Sequence, residues 1–111
     1  MGGISQVYYF GPFSLDPEER QLLRKGVPIH LTEKAFDTLL LLLQRKGHIV
    51  HKHEFLKSIW LDTFVEESCL MVNISILRKA LGDDGHRRKY IETVYKHGYR
   101  FIGDVKEMDG S

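Results

Sequence analysis

Ser68, Val72, Ser75 and Lys79 recur every three or four residues in a stretch, about Val65–Leu81, whose spacing is helical. On a wheel of about 100° per residue these four share one side. Cys69 and Ile76 flank that side on one hand, Met71 and Arg78 on the other, and Asn73 stands at its margin. Leu70, Ile74, Leu77 and Leu81 lie opposite and make a core stripe. From Ser68 to Leu81 the stretch carries no acid. A helix face that only meets water is rich in Glu, Lys and Gln, the good helix formers. Small hydroxyls, β-branched apolar side chains, an amide and two cations suit the major groove of duplex DNA instead. Ser68, Ser75 and Asn73 would hydrogen-bond base edges or phosphates, and Val72 and Ile76 would meet thymine methyls. Arg78 and Lys79, late in the helix, would meet phosphate or guanine. The competing occupant of such a face is another protein chain, packed on Val72 and Ile76. That alternative is a protein-interaction module of the same fold without DNA binding.

A second constellation follows the helix. Tyr95-Lys96-His97-Gly98 turns between two β-forming runs, Lys89–Val94 and Tyr99–Val105. The turn projects a cation and a polar ring, with Gly98 permitting its backbone, and Thr93 brings a donor from the strand leading there. Charge agrees with a polyanion partner. Residues 1–77 hold eight Lys/Arg against nine Asp/Glu, and residues 78–100 hold seven against three. The chain is near neutral at +1, so its positive excess is local. Other chemistry is not expected. His48, His51 and His53 would fall on two faces of a strand with no acid or thiol to complete a metal set. Cys69 beside Ser68 lacks a His/Asp partner at readable spacing. No glycine-rich phosphate loop is present, and Trp60 ends an apolar stripe and reads as core. No catalytic residue, metal or cofactor is therefore assigned.

These residues need a scaffold, and 111 residues allow one domain with one modest core. The chain is 42% apolar with five Tyr, six Phe and one Trp, which argues for an ordinary globular fold. The single cysteine excludes a disulfide framework and suits a reducing cytoplasm. The longest aliphatic run, Leu39–Leu43, is far short of the ~20 residues that span a bilayer, and no signal peptide is expected from the opening residues. Val7–Phe10, Phe13–Leu15, Gln21–Arg24 and Val27–Leu31 read as a four-stranded antiparallel sheet. Asp16-Pro17-Glu18-Glu19 and Lys25-Gly26 supply turns. A first helix follows Thr32 as N-cap and ends at Gly47, and a second, about Lys52–Trp60, has a weak cap in His51. The third closes at Gly82-Asp83-Asp84-Gly85. The expected fold is α+β: a four-stranded sheet, three helices and a C-terminal β-hairpin over residues 7–105. Residues 1–6 and 106–111 are expected as disordered ends.

Three motifs in this order resemble a known family. Leu31-Thr32-Glu33-Lys34-Ala35-Phe36-Asp37-Thr38-Leu39-Leu40 resembles the start of the first helix in OmpR/PhoB-type winged helix-turn-helix domains. Ile74-Ser75-Ile76-Leu77-Arg78-Lys79-Ala80-Leu81-Gly82-Asp83 resembles the end of their recognition helix. Tyr90-Ile91-Glu92-Thr93-Val94 with Gly98-Tyr99-Arg100-Phe101 resembles their wing. The wording is most like CadC/ToxR-like regulators. The resemblance implies sequence-specific duplex DNA binding in bacterial transcription regulation, often as a head-to-tail pair on direct-repeat half-sites. It also implies that a sensor domain can accompany the domain in a longer chain. It carries Ser68, Cys69, Val72, Asn73, Ile76 and Arg78 to the groove, and Thr93, Lys96 and His97 to the wing. Two positions depart from the pattern: Ile76 and Tyr95 stand where arginine is common, which implies an A/T-leaning preference and weaker binding. Arg100, between Tyr99 and Phe101, is either a structural ion-pair partner or a DNA contact.

Overall fold

The computed structural model describes residues 6–61, 66–83 and 87–109. The expected helix start at Val65 and the outermost end residues therefore lie outside what it describes. Four strands open the chain as a meander: β1 (Gln6–Phe10), β2 (Phe13–Asp16), β3 (Gln21–Arg24) and β4 (Val27–Ile29). The Lys25-Gly26 turn works as expected. Both residues have positive φ, 50° and 82°, and Arg24 pairs with Val27 across it. A fifth strand, β8 (Lys106–Asp109), joins this sheet, whose order is β4-β3-β2-β1-β8. The expectation of loose residues is thus corrected for Lys106–Asp109 and for Gln6. Gln6 pairs with Asp109 and Tyr9 with Lys106, and a Lys46–Glu107 ion pair at 2.7 Å fastens β8 to the chain after the first helix.

Helix α1 (Glu33–Gln44) starts as its cap predicts, Thr32 Oγ1 accepting from the Ala35 amide at 3.2 Å. Its stripe of Ala35, Phe36, Leu39, Leu42 and Leu43 is fully buried. It stops at Gln44, before Gly47, which has φ +80° and donates its amide to the Phe101 carbonyl at 3.0 Å. Next comes an unexpected strand, β5 (Ile49–His51), then α2 (Lys52–Ile59) and α3 (Glu67–Leu81), closed by Gly82 at φ +69°. The hairpin is β6 (Ile91–Val94) and β7 (Gly98–Phe101), and β5 makes it a three-stranded sheet of order β5-β7-β6. One core joins both sheets through the helices. Phe10 lies 5.3 Å from Phe101 and 5.7 Å from Tyr90, ring centre to ring centre, so the first sheet is packed directly against the base of the hairpin. Leu70, Ile74, Leu77 and Leu81 of α3 are buried in this core, as their spacing predicts.

Candidate nucleic-acid interface

Burying that stripe fixes what α3 shows to solvent. Ser68, Met71, Val72, Ser75 and Lys79 are exposed, with Met71 and Val72 at 59% and 57%. Cys69 and Ile76 are half-buried and packed against the core margin, so they offer edges and not full faces, a reduction of their expected role. Asn73 is a correction. It is 6% exposed, and its Nδ2 lies 3.5 Å from Thr38 Oγ1, which itself donates to the Lys34 carbonyl at 2.7 Å. Position 73 falls only about 40° from Leu77 on the wheel, so the amide joins α3 to α1 inside the fold. Asn73→Ala is expected to leave base preference unchanged and to cost about 1 kcal/mol of stability. Selection of bound duplexes and denaturant unfolding read the two effects separately.

Arg78, expected on phosphate or guanine, and Thr93, expected as a donor to phosphate, are joined in the structure. Arg78 Nη2 donates to Thr93 Oγ1 at 2.8 Å and to the Ile91 carbonyl at 2.9 Å, and its guanidinium lies 5.9 Å from the Tyr99 ring centre. Burial, and after it the charge of Arg88, lowers the Arg78 pKa from its ordinary value. Arg78 is thus a strut that sets β6 against α3, while the exposed Thr93 hydroxyl keeps its proton for an outside acceptor.

The hairpin tip exposes Tyr95, Lys96 and His97, with Tyr95 at 79%. Its left-handed residue is Lys96, at φ +67°, and not Gly98 as expected. Gly98 serves another need: a Cβ there would sit 2.1 Å from the Val50 carbonyl oxygen of β5. The tip is also tied to α2, since the Lys52 amide donates to the His97 carbonyl at 3.1 Å. Lys52 Nζ meets Glu67 Oε1 at 2.5 Å, linking the starts of α2 and α3. That bond raises the Lys52 pKa. His51 and His53 stack at 5.9 Å where the chain passes from β5 into α2, and His97 meets His51 at 6.0 Å. Among the described residues no cluster has a metal-holding arrangement. Arg100 is settled as structural: its Nε and Nη2 both donate to Glu92 Oε1, at 2.9 and 2.6 Å, directly across the ladder.

Asp83 had no assigned role beyond helix closure, and it is the residue that builds the hairpin base. It is 1% exposed, and its carboxylate accepts from the amides of Lys89 (2.5 Å), Tyr90 (3.2 Å) and Ile91 (2.9 Å). Those three amides point at the carboxylate and not across the ladder, so Asp83 fixes the chain just where it enters β6 at Ile91. An acid next to a helix-ending glycine inside a basic run was the available signal. Around it Lys79, Arg87, Arg88 and Lys89 are exposed. None of these, nor Lys96, takes part in the ion pairs seen among the described residues.

Three helices, the last laid open beside a β-hairpin, define a winged helix-turn-helix domain. Residues 26–101 match the family model described as "Transcriptional regulatory protein, C terminal", and the chain belongs to that family, the OmpR/PhoB-type DNA-binding domains. The transcriptional regulator HilA of Salmonella typhimurium is 37% identical over 94 residues, 85% of this chain and 17% of HilA. The chain thus spans less than a fifth of that relative. The DNA-binding domain of Escherichia coli CadC aligns with a TM-score of 0.80 at 27% identity, over 96% of this chain and 100% of that one. Response regulator DrrB of Thermotoga maritima, an OmpR/PhoB homologue, aligns with a TM-score of 0.79 at 35% identity. It covers 87% of this chain and 44% of that one.

Proposed function

We propose that this domain binds duplex DNA with the Ser68–Val72–Ser75–Lys79 ridge of α3 in the major groove and the Lys96-His97 wing tip on the adjacent backbone or minor groove. The observation that carries this reading is the ridge itself: exposed, with no acid from Ser68 to Lys79, and bordered toward its end by cations outside every described ion pair, while Ser68 at its start donates to Glu66 at 3.5 Å. A major groove about 12 Å wide admits a helix and exposes the base edges these side chains suit. With Asn73 and Arg78 turned inward, base choice rests on Ser68, Ser75, Val72 and the edges of Cys69 and Ile76. So small a reading face favours two copies, head to tail on direct-repeat half-sites, acting in bacterial transcription regulation in the cytoplasm. A sensor domain in a longer parent chain fits the same reading. Among the described residues no helix is long and apolar enough to cross a membrane.

Exposed Met71, Val72 and Tyr95 also suit a protein partner, and one experiment separates the two readings. Selection from random duplexes, followed by affinity measured over a salt series, is expected to return a repeated half-site and a steep decline with salt. Lys79→Ala and Lys96→Ala should each weaken binding alike for all sequences and shallow the log–log slope by about 0.9. Enrichment of no sequence, with both variants indistinguishable from wild type, would leave the protein-docking reading in place.

A further inference from the structure

We propose that a hollow of about 270 Å³ lined by Ser75, Arg78, Lys79 and Arg88 seats one backbone phosphate of duplex DNA, with Arg88 as its recognition residue. The inference rests on the DNA-binding reading and extends the contact surface beyond α3 and the wing to Arg88. Ser75 and Lys79 are four residues apart and exposed on the same side of the helix. Arg88 donates through Nη1 to the Asp83 carbonyl oxygen, which anchors its guanidinium beside the last turn of α3. Its remaining N–H groups stay available, since a guanidinium carries five. Arg78 completes the lining with a buried Nε that has no hydrogen-bond partner.

Three cations thus converge, none of them in an ion pair among the described residues. Burial lowers the Arg78 pKa, and the charge of Arg88 adds to it while Tyr99 and the buried Asp83 carboxylate act in the other direction. An anion in the hollow would relieve the repulsion among the three cations. The negative end of the α3 dipole, about half a charge, helps hold the cations and is too weak to exclude the anion. A guanidinium fork takes a phosphate in the two-pronged way it takes a carboxylate, and the serine hydroxyl and lysine beside it can add further bonds to the same group. The hollow also continues the Ser68–Lys79 ridge, so a helix seated in the groove brings it against the flanking strand.

The test compares wild type with Arg88→Gln, Arg88→Lys and Lys25→Gln, the last removing an exposed cation from the distant β3–β4 turn. Duplex affinity is measured by fluorescence anisotropy over a salt series, after circular dichroism has shown each variant folded. Arg88→Gln should lose about tenfold in affinity on every duplex, with a slope shallower by about 0.9. Arg88→Lys should keep the slope while recovering only part of the affinity, and Lys25→Gln should match wild type. Wild type binding normally while Arg88→Gln tracks Lys25→Gln would overturn the phosphate seat alone. Absence of salt-dependent duplex binding by wild type would overturn the DNA reading as well. A second arm titrates inorganic phosphate and follows the Ser75 and Lys79 amide signals by NMR. Shifts that vanish in Arg88→Gln while DNA affinity is unchanged would identify a free anion as occupant, against the proposal.

Discussion

Asp83→Ala is expected to remove about 4 kcal/mol of stability, although Asp83 touches no side chain of the reading face. Three amide donors lose their acceptor at once, and two of them, on Tyr90 and Ile91, sit at the buried entry to β6. Each donor left without a partner costs about 1–3 kcal/mol, and those bonds go to a charged group. Relaxation and entering water recover part of the total. Asp83→Asn should lose roughly half as much, because its single carbonyl oxygen cannot serve both sides of the cluster. Denaturant unfolding of the three proteins gives the ranking; a loss under about 1 kcal/mol for alanine would contradict the role assigned to Asp83. Because Arg78 grips Ile91 and Thr93 in the same region, surviving folded protein should also bind DNA less tightly, its wing no longer set against α3.

Gly98→Ala should be almost as damaging, by a different route. The added methyl would sit 2.1 Å from the Val50 carbonyl oxygen and 3.0 Å from the His51 Cα, both backbone atoms that cannot rotate aside. β7 must move away from β5, breaking the Val50–Tyr99 and His51–Gly98 pairings, at a cost of about 3 kcal/mol. Gly82→Ala is the matched control. Its Cβ meets nothing within 4 Å, so only the φ of +69° is penalised, at about 1 kcal/mol. Thermal unfolding in which the two variants lose equally would show that strand approach does not govern Gly98.

What was legible in the chain follows from how much each element depends on its own residues. α1 declares itself through Thr32 and six apolar positions at helical spacing, and the core stripe of α3 through four. The inward turn of Asn73 is masked by its chemistry, because an amide reads as a surface residue unless a partner such as Thr38 is known. β5 and β8 are three and four residues long, and nothing in Ile49–His51 or Lys106–Asp109 alternates. Their strand character comes from β7 and β1, distant neighbours that a local pattern does not contain. Arg78 and Thr93 likewise looked like two free donors because their contact spans 15 residues of sequence.

The pairing of β1 with β8 has a mechanical consequence. Gln6 is the first rung and Asp109 its partner, so the two ends of the domain leave the sheet side by side. A load applied through both ends would fall on that single rung, then on Val7–Met108, then on Tyr8–Glu107, one after another. Antiparallel strands pulled from the same end part like a zipper and never share the force along their length. Tension should therefore strip β8 away, once the Lys46–Glu107 pair gives, long before it reaches the α3 core. The ridge and the wing would keep their geometry under a pull strong enough to open the opposite edge.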